Sequence, residues 1–165
     1  NKYKKLPIFN ELIKKNSVSI CLRQNRFIEG KNKNNKLNKE LSENFMFEQI
    51  NYINNSMEYI NKTVDNPIFY LWSNDITNVN IDMFNSKVNK INHKNEFLVD
   101  LDKRSLDLFL ISQCNHHIVI PSSFNWWGAW LGTNINRLIL RPADNHFTNF
   151  KLNNKDFWPE TWIKV

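Results

Sequence analysis

Apolar positions along the chain fall into short runs separated by stripes of helical period. Residues 17–23 (SVSICLR) alternate small and apolar side chains and predict a strand. Residues 67–72 (PIFYLW) and 118–120 (IVI) are continuous apolar runs, as expected of strands buried on both faces. Residues 137–140 (RLIL) predict a further strand, and 87–91 (KVNKI) a short one. Between these runs, Leu6, Ile8, Phe9, Leu12 and Ile13 predict a short amphipathic helix from about Pro7, a residue tolerated in the first helical turn. Phe45, Gln49, Tyr52, Ile53 and Ile60 predict a long helix over 41–60 whose aromatic stripe is core. Leu106, Leu110 and Ile111 point inward from a helix over 104–114. Residues 30–39 (GKNKNNKLNK) hold almost nothing apolar and predict a solvated loop, while the tail FWPETWIKV packs its aromatics back on the body.

The alternation of strand and helix, with strands apolar enough for burial on both sides, predicts an α/β fold: a Rossmann-like parallel sheet flanked by helices. Right-handed crossovers would bring the carboxyl ends of all strands, and any ligand, to one edge. Arg23 to Arg26 lie at or just beyond the end of the first strand.

The chain is organised around residues 116–133 (HHIVIPSSFNWWGAWLGT). A β-branched run ends at Pro121, which brings no N–H to a ladder. Ser122 and Ser123 follow where a helix N-cap is wanted. The segment from Trp126 to Leu131 then reads as a helix too apolar for a surface. Strand, hydroxylated turn and buried helix together form an anion site, because free N–H groups and the positive end of the helix dipole face the strand's carboxyl end. Capping alone is the commoner role of such serines. An arginine, Arg23, converging on the same edge tips the balance toward an anion. With three glycines in the chain and no glycine-rich phosphate loop, side chains must hold any nucleotide.

Composition adds bounds. The 165 residues, 41% of them hydrophobic, suffice for one core and predict a single domain over 1–165. The first residue is Asn, as in a processed chain or an excised piece. No apolar run approaches the roughly 20 residues of a membrane span. Cys21 and Cys114 make neither a disulfide framework nor a metal pattern, so a reducing, cytoplasmic setting is the default. A net charge of +6 favours an anionic partner: nucleic acid, membrane or a phosphorylated small molecule. No metal site is expected. His116 and His117 are adjacent on a strand and point to opposite faces, no third ligand has suitable spacing, and His93 and His146 are isolated.

The segment from Asp107 to Leu131 (DLFLISQCNHHIVIPSSFNWWGAWL) resembles the C-terminal motif of the α1,2-fucosyltransferases of glycosyltransferase family 11: an Asp-Leu pair, Ser-x-Cys, a short strand, then Ser-Ser-Phe-Ser-Trp-Trp-Gly-Ala. Asn125 stands for the last Ser of that motif, and Pro121 precedes the serine pair. FYLWSNDI (69–76) resembles the family's Phe-Ser-Asp-Asp block, with Asn74 for the first Asp. SVSICLRQNRF (17–27) resembles the His-x-Arg-x-Gly-Asp block, but Cys21 replaces His, and Asn25 and Arg26 replace Gly-Asp; Arg23 is retained. The closing WPETWIKV is similar as well.

The resemblance implies the C-terminal, donor-binding half of a GT-B glycosyltransferase, without its acceptor-side N-terminal domain. It also implies inverting transfer of L-fucose from GDP-β-L-fucose to a galactose hydroxyl in α1,2 linkage, with no essential metal and no cofactor beyond the donor substrate. Partners would be the nucleotide sugar and a galactose-containing glycan, not nucleic acid, with peripheral membrane association only through the acceptor. On this reading Arg23 contacts the pyrophosphate and offsets charge on the leaving group. Ser123 and Ser122 hydrogen-bond the diphosphate, and Asp107 accepts from guanine N1–H and the 2-amino group. A carboxylate favoured by its helix dipole explains Asp107 equally well. Phe124 packs on base or ribose, or else belongs to the core, where the tryptophans are also expected. Cys21 is a packed strand residue, since inversion needs no covalent intermediate. No residue is identified as general base; Asp75 is a candidate by its strand-end position alone. The competing reading is a non-catalytic nucleotide-sugar-binding or basic nucleic-acid-binding α/β module.

Overall fold

The computed structural model describes residues 2–14, 16–29, 35–92, 102–150, 152 and 156–165. Among these residues six strands form one parallel sheet: β1 (Ser17–Leu22), β2 (Ile68–Ser73), β3 (Val88–Lys90), β4 (His116–Ile118), β5 (Ile139–Arg141) and β6 (Ile163–Lys164). Their order is β3-β2-β1-β4-β5-β6, the Rossmann order, with every neighbouring pair parallel. All six residues of β1 are buried, because β1 has a strand on each side and helices over the sheet. It pairs with β2 from Ser17↔Ile68 to Leu22↔Ser73 and with β4 from Val18↔His116 to Ile20↔Ile118. Strand order reverses between β1 and β4, so their connections leave in opposite directions and open a crevice at their carboxyl ends.

Among the described residues four α-helices accompany the sheet: α1 (Pro7–Lys14), α2 (Lys36–Thr63), α3 (Lys103–Ser112) and α4 (Ser123–Trp130). Phe45, Gln49, Tyr52, Ile53, Met57 and Ile60 form the buried stripe of α2. Each large apolar member of such a stripe contributes about 1.5–3 kcal/mol on burial. Phe9 of α1 stacks on Phe109 of α3 with ring centroids 5.8 Å apart. Phe45 of α2 meets Phe147 and Phe150 at 5.3 and 5.1 Å. No helix among the described residues is long and apolar enough to cross a membrane.

The elements differ from expectation where polar residues or very short pairings carry them. α2 begins at Lys36, inside the stretch expected to be loop, because Asn35 caps it by accepting from the Asn38 amide at 2.8 Å. Its first turns are exposed and show no apolar period. Gly30 to Asn34 of that expected loop, and His93, lie outside the described residues. β4 begins at His116 rather than Ile118. His116 Nδ1 accepts from Leu138 N at 3.1 Å, and His117 N donates to Leu138 O at 2.9 Å, so the two histidines make sheet bonds that apolar patterning does not reveal. The tail adds a sixth strand, anchored by Val165 N to Arg141 O (3.1 Å) and Ala143 N to Val165 O (2.9 Å). Two short 3₁₀ turns, Ile76–Asn78 and Ile81–Met83, lie in the connection between β2 and β3.

Candidate functional site

β1 delivers Arg23 to the crevice, and α2 fixes it there. Buried Gln49 accepts from Arg23 N at 2.9 Å and donates to Arg23 O at 2.9 Å. Gln24 ties the same loop to the end of β2. Its amide donates to Asn74 Oδ1 at 2.8 Å, and its side chain donates to Ser73 Oγ at 2.9 Å and Asp75 O at 2.6 Å. Asn25 has φ 55°, a left-handed conformation that favours Gly and admits Asn. Asn25 therefore meets the backbone demand that explains a glycine at this position of the family pattern. After the reversal, Arg26 Nη1 donates to Pro121 O at 2.8 Å, and its Cζ lies 4.8 Å from the Phe45 ring centroid. Arg23 forms an ion pair with Glu29.

The turn after β4 is shaped by its own backbone. Ser122 N donates to Ile120 O at 2.7 Å across Pro121, and Ile120 N donates to Asn125 Oδ1 at 2.8 Å. Ser122 is the N-cap residue of α4 in extended conformation, but its hydroxyl makes no cap hydrogen bond. The capping-only explanation of the serine pair thus fails for Ser122. First-turn N–H groups have no intrahelical acceptor, and among the described residues those of Ser123 and Phe124 find no other, so the N-terminus of α4 keeps free donors. Gly128 lets α4 approach α3 closely: a Cβ there would stand 2.4 Å from Ile111 Cγ2.

α3 forms the opposite wall. Its N-cap is Asp102, which accepts from Ser105 N at 2.9 Å and Ser105 Oγ at 2.6 Å; these bonds hold its carboxyl below the usual range. Asp107 lies beyond the first turn, where α3 has no acidic residue. The dipole explanation for Asp107 is therefore overturned in favour of Asp102.

Arg23, Asp107, Ser122, Ser123 and Phe124, which the sequence scattered over a hundred positions, line one cavity of about 950 Å³ at the ends of β1 and β4. Sequence reasoning missed Arg26, Lys103 and Arg104, which line it too. Arg26 was visible beyond β1 only as a departure from a pattern, and nothing distinguishes Lys103 and Arg104 from other basic residues at a helix start. Ser73 and Asn74 border the cavity from β2. Asp75 does not; its carboxylate accepts from Thr77 Oγ1 at 3.0 Å and Asn78 Nδ2 at 2.8 Å, within its own loop.

Several side chains need correction. Phe124 is exposed at 38%, not core, as suits a residue on a cavity wall. Trp127 and Trp130 are about half exposed, so α4 is not the wholly buried helix its composition suggested. Only part of it meets the tail: Trp126 donates from Nε1 to Phe157 O at 2.7 Å and packs near Trp162 at 5.5 Å. Cys21 borders the cavity, but burial and nearby Asp107 push its thiol pKa far up, which leaves it protonated and a poor nucleophile. His117 is buried with Nδ1 2.8 Å from Ser19 Oγ, a sheet contact away from the cavity.

Four cationic side chains and a helix N-terminus on its wall suit this cavity in charge to an anionic ligand, and the Asp107 carboxylate is an acceptor group on the same wall. The family model described as Glycosyl transferase family 11 matches residues 9–165. An alpha-1,2-colitosyltransferase of Escherichia coli is 28% identical over 116 residues, covering 69% of this chain and 38% of that protein. The O-antigen biosynthesis glycosyltransferase WbnK of Escherichia coli is 23% identical over 116 residues, 70% of this chain and 36% of that protein. The matches thus span less than two fifths of either relative. No solved structure gives a significant match.

Proposed function

The chain belongs to glycosyl transferase family 11, and from that membership we propose that it is the donor-binding domain of an inverting α1,2-fucosyltransferase using GDP-β-L-fucose. The acceptor is a galactose-containing glycan, met with the help of a further, acceptor-side domain. In this reading the acceptor hydroxyl attacks the fucosyl anomeric carbon from the face opposite the diphosphate, its proton passing to a base on the acceptor side. The bond to the β-phosphate oxygen breaks, and GDP leaves with the extra negative charge. Arg23, the hydroxyls of Ser122 and Ser123 and the amide of Ser123 meet that charge as it develops. A preorganised donor of this kind contributes about 3–4 kcal/mol to lowering the barrier. Asp107 accepts from the guanine edge, and Phe124 packs against base or ribose. The chemistry calls for no metal or cofactor beyond the donor, and association with a membrane would come through the acceptor of a cytoplasmic enzyme.

The observation that carries this reading is the convergence of those five residues on one cavity at the strand-order reversal. Two relatives named as glycosyltransferases support it, and one of them, the alpha-1,2-colitosyltransferase, makes colitose the sugar to compare with fucose. The exposed aromatics of α4 remove one argument against a nucleic-acid-binding module, so family membership is what now separates the two readings.

Calorimetric titration with GDP, against UDP, tests the donor. GDP should bind and UDP should not, and Arg23→Ala and Ser123→Ala should each weaken GDP, the former about 10- to 100-fold. GDP-fucose against GDP-colitose then ranks the sugars. A folded chain indifferent to both nucleotides, or one that binds oligonucleotides with a steep salt dependence, would sink the reading.

A further inference from the structure

We propose that Arg26 is a second diphosphate-binding cation of the donor site, acting with Arg23 from a position that carries Asp in the family pattern. The proposal deepens the donor reading above and rests on it for the identity of the nucleotide. Arg26 lines the same cavity as Arg23, Ser122 and Ser123. The left-handed turn at Asn25 brings the chain back so that both guanidinium groups reach one edge of the sheet.

The two arginines differ in how their charge is balanced. Arg23 has Glu29 as an ion-pair partner. Among the described residues no carboxylate pairs with Arg26. It sits instead half-buried against Phe45, with one N–H given to Pro121 O, the residue next to the serine pair. Burial and the neighbouring Arg23 charge both press its pKa downward, which means that the protein's own groups leave the charged form under-compensated. A guanidinium carries five N–H donors, so the bond to Pro121 leaves others for a ligand. Removing a charge from water without a counter-ion is unfavourable, and placing a second like charge beside it adds to the cost. An anion with charge on two adjacent centres relieves both terms, and a diphosphate is such a ligand. The bond to Pro121 also couples the β1 loop to the N-terminus of α4, so the cations and the amides converge on one anion.

The test titrates the wild-type chain, Arg26→Gln, Arg26→Lys and Arg26→Asp with GDP, pyrophosphate and guanosine, with thermal unfolding followed for each variant. Arg26→Gln is expected to weaken GDP and pyrophosphate about tenfold or more and leave guanosine unchanged. Arg26→Asp should weaken the two anions further, whereas Arg26→Lys, which keeps the charge, should retain most of their affinity. Unchanged affinity for GDP and pyrophosphate in Arg26→Gln overturns the proposal and leaves the donor reading standing. A fall for guanosine in step with GDP, or equal losses in the Lys and Gln variants at unchanged melting temperature, assigns Arg26 a structural role and overturns it too. Arg26-dependent binding of pyrophosphate without binding of GDP supports the proposal and removes the guanine reading. A wild-type chain that binds neither GDP nor pyrophosphate overturns both.

Discussion

Gln49 holds Arg23 by both of its backbone groups, accepting from the amide and donating to the carbonyl at 2.9 Å each. Gln49 is fully buried in α2, and Arg23 is the residue after β1, so one side chain locks the start of the crevice loop to the core. Replacing Gln49 by Met keeps its bulk and leaves both backbone groups of Arg23 without this partner. We expect a stability loss of about 1–3 kcal/mol in urea unfolding. GDP affinity should fall although Gln49 does not line the cavity. Unchanged affinity would show that Arg23 is placed by the strand alone.

Glu29 is the internal competitor of any anion at Arg23. The pair is partly exposed, with side-chain exposures of 39% and 41%, so its strength is that of a surface ion pair, about 0–1 kcal/mol. Glu29→Gln should therefore raise diphosphate affinity by no more than about fivefold. A decrease would mean that Glu29 orients Arg23 rather than competing for it.

Asp107→Asn tests base recognition apart from phosphate binding. Asn offers one acceptor oxygen where the carboxylate offers two, and cannot accept from N1–H and the 2-amino group together. GDP affinity should drop about tenfold with pyrophosphate unaffected. Equal losses for both ligands would move Asp107 out of the guanine site.

Gly128→Ala should destabilise the chain. The added Cβ would meet Ile111 Cγ2 at 2.4 Å, a methyl on a branched carbon that cannot swing away. Overpacking of this kind costs about 1–3 kcal/mol, offset by the roughly 1 kcal/mol that Ala gains over Gly in a helix. The expected net loss is about 1 kcal/mol, read by urea unfolding. Separation of α4 from α3 should also weaken GDP binding, because Ser123 and Asp107 sit on those two helices.

Stability should fall below neutral pH through His117. Burial, with lesser effects of Arg137 and His116, pushes its pKa from 6.5 down to about 3. Among the described residues its Nε2 has no hydrogen-bond partner, and a Cβ on Gly132 would lie 3.1 Å from it, so the imidazolium finds no second acceptor among them. The unfolded chain takes up this proton near pH 6.5 and the folded chain only near 3. This contribution is therefore full above 6.5 and declines as pH drops, by about 1.4 kcal/mol per unit. Urea unfolding at pH 7.5 and pH 5 should differ accordingly, and His117→Gln should flatten the difference. His116 is pushed the same way by burial and adds to it.

Hydrophobic period made most of the fold legible. The apolar runs around Ile20, Tyr70 and Leu140 and the stripe from Phe45 to Ile60 are local patterns, and burial enforces them wherever the chain places them. Elements held by polar bonds were not legible. Asn35 starts α2 with a side-chain cap, His116 and His117 extend β4 through sheet bonds, and β6 is two residues long.

The site divides along the same line. Sequence by itself singled out the serine pair, because a strand, a proline and a hydroxylated helix start follow one another within a few residues, and Arg23 by its place at a strand end, while Asp107 and Phe124 were marked by the family resemblance. Tertiary structure alone decided that Arg26, Lys103 and Arg104 share that cavity, that Asp102 rather than Asp107 caps α3, and that Phe124, Trp127 and Trp130 reach solvent. Those outcomes depend on strand order and on the packing of α4 against α3. Both join residues distant in sequence, and no local spacing records which face of a short apolar helix a neighbour will cover.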